Sequence, residues 1–323
     1  MTHGITRRAA LGAGLALPAL ATAGAQEAWP ARPVRIIVPY AAGGGTDITT
    51  RAIAEGLATR FGRNFVVENR PGANGIVGTE AVTRSPPDGY VLGAQTSTHV
   101  MAKYLGPLPF DPLNDVTPIA LTARYPLVLM ASARAPFTDV AGLLEAARAR
   151  PGVVAQASSD AQSSITARLF AARAGVEIIE VPYRGSGAYI ADLTAGHLPV
   201  AWGSPATAAP LVAAGHIRII AVSSPERSPF LPDVPTLREA GVQGADFIGW
   251  FCWLAPKGLP MEIANRLNTN INELLAEPAM RERWRTLGME TVPLTVPQFA
   301  QLLRDDDAKW AQAAREGLLR PAT

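Results

Sequence analysis

Pro39-Tyr40-Ala41-Ala42-Gly43-Gly44-Gly45-Thr46-Asp47 sets three consecutive glycines between a β-branched run and a helix-like one. Upstream, Val34-Arg35-Ile36-Ile37-Val38 is short, apolar and stopped by Pro39, the pattern of a buried strand. Downstream, Ile48, Ile53, Leu57 and Phe61 recur at helical spacing and Gly62 marks a stop, so a helix is expected over 47–61. A glycine turn between strand and helix lets backbone N–H groups face one point at the helix's positive end, an anion site made from dipoles. The same residues also fit a tight turn in which Thr46 or Asp47 caps the helix. Two cofactor readings fail. A dinucleotide site needs a third glycine where Ile48 stands, and no Gly-Lys-Ser/Thr follows to make a P-loop.

The arrangement recurs along the chain. Asn69-Arg70-Pro71-Gly72-Ala73-Asn74-Gly75 joins a strand at 65–68 to a short helix at 75–83, and a further strand is expected at 90–94. Such strand–helix–strand units imply a mostly parallel sheet flanked by helices, with ligands at the carboxyl ends of its strands. The pattern restarts with an apolar run at 125–131, and continues through helices and strands to 217–222. In this second run, Ser158-Ser159-Asp160-Ala161-Gln162-Ser163-Ser164 and Tyr183-Arg184-Gly185-Ser186-Gly187 are also strand-to-helix loops. The first is dense in neutral hydroxyls and amides, and Arg184 adds a guanidinium able to fork onto a carboxylate. Trp202, near a strand end, reads equally as a stacking wall or as core. A proline-rich connection at 223–235, a strand at 247–254 and three helices from Pro260 onward complete the chain.

These readings predict an α/β fold of two lobes, each a mostly parallel sheet flanked by helices. Lobe 1 is expected from 26–124 plus 247–323 and lobe 2 from 125–246, so that two chain crossings form a hinge around a cleft. Asp305-Asp306-Asp307 occupy consecutive helical positions about 100° apart, cannot converge on one ion, and read as a solvated helix face.

The N-terminus reads as an export signal over 1–25. Arg7-Arg8 precede an uncharged apolar stretch, and Ala23-Gly24-Ala25 offers small residues for cleavage. The paired arginines suggest the twin-arginine route and a periplasmic destination. The signal holds two basic residues and no acidic one, so its removal takes the formal net charge from +2 to zero. The mature chain therefore has no electrostatic case for nucleic acid or anionic membrane. Cys252 is the only cysteine, which excludes an internal disulfide and a cysteine-based metal site.

With these segments in hand the chain closely resembles the Bug-type periplasmic receptors of tripartite tricarboxylate transporters. The resemblance rests on Val-Pro-Tyr-Ala-Ala-Gly-Gly-Gly-Thr-Asp at 38–47, Val-Glu-Asn-Arg-Pro-Gly-Ala-Asn-Gly at 67–75 and Pro-Pro-Asp-Gly-Tyr at 86–90. It continues through Val-Pro-Tyr-Arg-Gly at 181–185, Pro-Asp-Val-Pro-Thr at 232–236 and Gly-Trp-Phe at 249–251. The resemblance implies a type II periplasmic-binding-protein fold, a small carboxylate ligand (aliphatic or aromatic) and delivery to membrane transporter subunits by a monomer. It implies ligand contacts at Tyr40, Gly44, Gly45, Asp47, Ala73, Asn74 and Gly75 from lobe 1, and at Ser158, Ser163, Tyr183 and Arg184 from lobe 2. Two departures stand out. Ser163-Ser164-Ile165-Thr166 replaces the usual glycine-rich turn followed by Ser/Thr-His-Leu, and Gly203 stands where many members carry an acid. The loss of that acid argues against an ammonium-bearing ligand. A ligand sensor serving a signalling partner would use the same cleft. Catalysis is not expected: no nucleophile elbow, metal spacing or cofactor fingerprint is present, and His99 alone among the histidines falls near the cleft.

Overall fold

The computed structural model describes residues 29–315 together with Met1, Gly317 and Leu319; the expected export signal lies outside the described residues. In chain order the first elements are β1 (Val34–Val38), α1 (Gly45–Phe61), β2 (Phe65–Asn69), α2 (Ile76–Thr83), β3 (Val91–Thr96), α3 (Thr98–Met101) and β4 (Val116–Pro126). There follow β5 (Val128–Ser132), α4 (Val140–Ala149), β6 (Ala155–Ser158), α5 (Ala161–Ala174), β7 (Ile179–Pro182), α6 (Ile190–Ala195), β8 (Val200–Gly203), α7 (Pro205–Ala213) and β9 (Ile217–Val222). The chain ends with β10 (Ile248–Pro256), α8 (Met261–Ala276), α9 (Pro278–Thr286) and α10 (Val296–Arg315).

The strands form two five-stranded sheets, ordered β2-β1-β3-β10-β4 and β7-β6-β8-β5-β9. In the first, β1 pairs parallel with β2 and β3, while β10 runs antiparallel to both β3 and β4. In the second, β6 pairs parallel with β7 and β8, while β5 runs antiparallel to β8 and β9. Four strands of each sheet thus point one way and one opposes them, the mostly parallel character predicted from the strand–helix alternation. The opposing strand of the first sheet, β10, is the one that returns after the excursion through the second.

The apolar run at 125–131 is not one strand. It divides at Leu127 between β4, an edge of the first sheet, and β5, inside the second. Most of β4 escapes a reading of the sequence because Pro118 and Thr117, Thr122 and Arg124 interrupt it. An edge position makes Pro118 tolerable, since one side of an edge strand has no ladder to complete.

At the crossing the two passages of the chain are bonded to each other. Leu127 N–H donates to Ser223 Oγ (2.8 Å), Ser223 N–H to the Leu127 carbonyl (2.8 Å), Phe247 N–H to the Ser223 carbonyl (2.7 Å) and Ser223 Oγ to the Phe247 carbonyl (2.7 Å). Ser223 is fully buried, so a single hydroxyl serves both passages.

The last three helices pack on the first sheet. Gly56 of α1 faces Leu274 of α8 so closely that a Cβ would lie 2.5 Å from Leu274 Cδ2. Trp284 of α9 donates to the Thr122 carbonyl (2.8 Å), and Trp310 of α10 stacks on Phe247 with ring centroids 5.5 Å apart. The acidic run on α10 is not simply a solvated face. Asp306 accepts from Trp250 Nε1 (2.6 Å), while Asp307 accepts from Lys103 Nζ (2.8 Å) and Tyr104 Oη (2.8 Å). Positions about 100° apart on a helix reach different neighbours, so two of the three carboxylates fasten α10 to the lobe.

Candidate functional site

The glycine turn after β1 is held from behind. Asp47 in the first turn of α1 accepts from Gly43 N–H (2.9 Å), Arg51 Nε (3.1 Å) and Asn69 Nδ2 (3.0 Å), and Asn69 also donates to the Tyr40 carbonyl (3.0 Å). Burial alone would push the Asp47 carboxyl up, but the Arg51, Gly43 and Asn69 donors together hold it below its ordinary value. Asp47 thus shapes the loop and faces away from the cleft lining. The glycines are required by proximity. A Cβ on Gly45 would overlap Ser204 Oγ and lie 2.9 Å from Phe251 Cζ, both across the cleft from the loop or on its floor.

The second glycine turn bends sharply. Ala73 (φ 46°) and Asn74 (φ 54°) hold left-handed backbone, followed by Gly75 (φ 89°), a run that turns successive N–H groups toward one side. Gly75 abuts Tyr40, whose hydroxyl pairs with Thr96 Oγ1 (3.2 Å).

The two lobes touch across the cleft. Ala41 N–H donates to the Arg184 carbonyl (3.2 Å) and Gly45 N–H donates to Thr207 Oγ1 (2.9 Å). Gln162 Oε1 meets Ser97 Oγ, and the Gln162 backbone N–H approaches Thr98 Oγ1 (3.4 Å). At Gly187 the backbones come so near that a Cβ would fall 2.8 Å from the Ala42 carbonyl carbon. These contacts define a closed arrangement.

Between the lobes lies a cleft that is nearly filled in this closed arrangement, with a free volume of about 20 Å³. Its walls include Tyr40, Gly44, Gly45, Tyr125, Leu127, Asp160, Ser163, Ser204 and Phe251. Three helix N-termini open onto it: α1 at Gly44–Gly45, α5 capped by Asp160, and α7 capped by Ser204, whose Oγ accepts from Thr207 N–H (3.3 Å). Together they supply partial positive charge without a lysine, arginine or histidine in the lining. Tyr125 and Phe251 pack at 4.3 Å and give the floor an apolar surface. Burial pushes the Tyr40, Tyr125 and Tyr189 phenols up, helped by the Asp160 charge, so all three stay neutral.

The second compartment adjoins the first through Tyr40 and Ser159, which line both. Ala73, Asn74, Gly75, Tyr183 and Arg184 line it. The Tyr183 hydroxyl turns to Asp192 (2.7 Å), whose carboxylate with burial pushes the phenol up to about 12.

The residues singled out in the sequence therefore separate into three groups. Tyr40, Gly44, Gly45 and Ser163 line the cleft, while Ala73, Asn74, Gly75, Tyr183 and Arg184 line the adjoining compartment. Asp47, Ser158 and Trp202 line neither. Asp47 is committed to the loop, Ser158 donates to Glu180 (2.6 Å), and fully buried Trp202 donates to Gln156 Oε1 (3.0 Å) and packs edge-on against Phe170. Thr96, Tyr125, Leu127, Asp160, Ser204 and Phe251 line the cleft without having been singled out. Only Asp160 and Ser204 carried a signal, a polar residue between strand and helix; Thr96, Tyr125 and Phe251 reach the cleft through strand pairing, and Leu127 through the crossing between the sheets.

The departure at Gly203 has a steric basis. A Cβ there would overlap the Tyr189 hydroxyl, which itself donates to the Trp202 carbonyl (3.0 Å), and would lie 2.9 Å from Met130 Cε. His99 does not line the cleft. It is buried, bonds the Pro112 carbonyl through Nε2 (2.7 Å), and burial lowers it to about 4, so the ring is neutral at ordinary pH. Burial likewise raises the Cys252 thiol well above its ordinary range. Among the described residues no cluster of three or more His, Cys, Asp or Glu is placed to hold a metal ion, and no helix is long and apolar enough to cross a membrane.

The sequence profile of the tripartite tricarboxylate transporter family receptor matches residues 49–317. Protein BugT of Bordetella pertussis is 34% identical over 94% of this chain and 93% of its own length. Among solved structures, R. palustris Rpa4515 with adipate superposes with a TM-score of 0.86 at 33% identity, covering 91% of this chain and 100% of that one. The periplasmic binding protein BugD superposes with a TM-score of 0.85 at 28% identity, covering 90% and 100%.

Proposed function

The chain belongs to the tripartite tricarboxylate transporter receptor family, and we propose that it captures a small carboxylate between its lobes for delivery to a membrane transporter of that type. The observation that carries this reading is the convergence of three helix N-termini on one cleft whose walls hold neutral donors, apolar rings and a single carboxylate, Asp160. One carboxylate sits against the Gly44–Gly45 turn at the head of α1, held by aimed backbone dipoles. The adjoining loop of Ala73–Gly75 and the second-lobe residues Tyr183 and Arg184 read the remainder of the molecule. Ligand contacts to both lobes favour the closed arrangement by differential affinity. The bound adipate of the Rpa4515 structure supports a small dicarboxylate as the ligand class.

The lobes divide near Leu127 and again before Phe247, with Ser223 between them, and the receptor works as a monomer without catalysis or cofactor. It reaches the periplasm by its twin-arginine signal and is cleaved near Ala25. A family of periplasmic receptors and the signal-like first 25 residues support this location. A thermal-shift screen against aliphatic and aromatic mono-, di- and tricarboxylates tests the reading. Ligand at 100 times its Kd adds about 2.7 kcal/mol, which raises the Tm by about 4 °C in a protein of this size. No shift with any member of the screen would sink the proposal.

A further inference from the structure

Asp160 is the one acidic residue in the cleft lining among the described residues. It sits between β6 and α5, where one carboxylate oxygen is fully used: Oδ1 accepts from Ser163 N–H (2.8 Å) and Ser163 Oγ (2.8 Å), capping α5. Among the described residues Oδ2 takes no hydrogen bond and the carboxylate has no ion pair. The residue is half-buried with no cation beside it among the described residues, and desolvation pushes the carboxyl up against the opposing effect of the Ser163 donors. Its charge is felt by Tyr40 and Tyr125, and all three line the same cleft as the glycine turn.

A ligand held by one carboxylate at Gly44–Gly45 therefore meets an acceptor at the far wall. A second carboxylate facing Asp160 would repel it, whereas a hydroxyl or ammonium group would complete its unfilled bonding capacity. The Tyr189 hydroxyl fills the space beside Gly203, so an acid there has no room, and the acidic residue that does line the cleft is Asp160 at the end of β6. An ammonium-bearing ligand, which the missing acid at Gly203 argued against, would find its partner in Asp160 instead.

We propose that Asp160 selects, among small carboxylates, those carrying a hydrogen-bond donor, hydroxyl or ammonium, on the chain that faces α5. The inference rests on the carboxylate-receptor reading and deepens it. Asp160→Asn is the informative variant. The Asn carbonyl still caps α5, but the amide presents a donor to the cleft where the carboxylate presented an acceptor.

Isothermal titration at pH 7.5 compares succinate with malate and aspartate, glutarate with 2-hydroxyglutarate and glutamate, and adipate with 2-aminoadipate. For the length that fits, the wild type binds the donor-bearing acid at least 10-fold more tightly than the plain diacid. Malate against aspartate, or its longer counterparts, separates the hydroxyl from the ammonium source. In Asp160→Asn that preference falls at least 10-fold and the plain diacid gains, while the melting temperature of the ligand-free protein stays within about 3 °C. Equal binding of plain and donor-bearing acids by the wild type, or an unchanged preference in the variant, overturns the role of Asp160 and leaves the receptor reading standing. Failure of the whole panel to bind overturns both.

Discussion

Replacing Gly187 by Ala tests whether lobe closure is part of capture. Gly187 does not adopt the left-handed backbone that demands glycine, so alanine fits its local conformation. In the closed arrangement the added methyl would overlap the Ala42 carbonyl oxygen and stand 2.8 Å from its carbon and 3.3 Å from Gly44 N. All three atoms are backbone, so no side chain can rotate aside; the lobes themselves must part. Overpacking of this kind costs about 1–3 kcal/mol when the surroundings yield, and an immovable backbone belongs at the upper end. At about 1.4 kcal/mol per tenfold, carboxylate affinity should fall roughly 10- to 100-fold. Because the contact lies between lobes, the ligand-free Tm should change little. Titration calorimetry reads the affinity, and solution scattering reads whether ligand still compacts the protein. A Gly187→Ala variant that binds with wild-type affinity and compacts normally would refute the closure argument.

Two further outcomes follow from buried groups. Ser223→Ala leaves the Leu127 N–H and Phe247 carbonyl without their side-chain partner; at about 1–3 kcal/mol per unpaired buried group, the Tm measured by calorimetry should drop by about 3–10 °C, and an unchanged Tm would deny Ser223 its place at the crossing. His99 has its folded value lowered by burial from 6.5 to about 4, so its contribution to stability is complete above pH 6.5 and is lost as pH falls from 6.5 to 4. At 1.36 kcal/mol per unit this amounts to about 3 kcal/mol. Imidazole resonances followed by NMR should leave His99 untitrated at pH 5, and titration near 6.5 would contradict its burial.

What is legible in the sequence is local. β1 and α1 are visible because β-branched runs, helical spacing and a glycine stop act within a few residues; Gly62 ends α1 with φ 63° and its N–H on the Ala58 carbonyl (2.9 Å). α1 begins two residues earlier than its apolar spacing implies, because Gly45 and Thr46 are helical without contributing to that spacing. Trp202 is ambiguous in sequence because an aromatic at a strand end has the same pattern whether it faces ligand or core; Phe170 and Gln156 decide for the core. Asp160 carries only the signature of a helix cap, which it is. That it also lines a cleft depends on the other lobe.

The sequence by itself therefore determined the alternation of strands and helices, the glycine turn after β1 and the neutrality of the chain beyond its first 25 residues. Each follows from backbone preferences or from formal charge, which need no distant partner. Tertiary structure alone decided which helix ends share a site. Gly45 and Thr207 are 162 residues apart, yet they are joined by a hydrogen bond of 2.9 Å. That encounter arises because the chain crosses between sheets at Leu127 and returns at Phe247, bringing the heads of α1, α5 and α7 together. An anion site built from dipoles takes its strength from such convergence, and no local pattern encodes it.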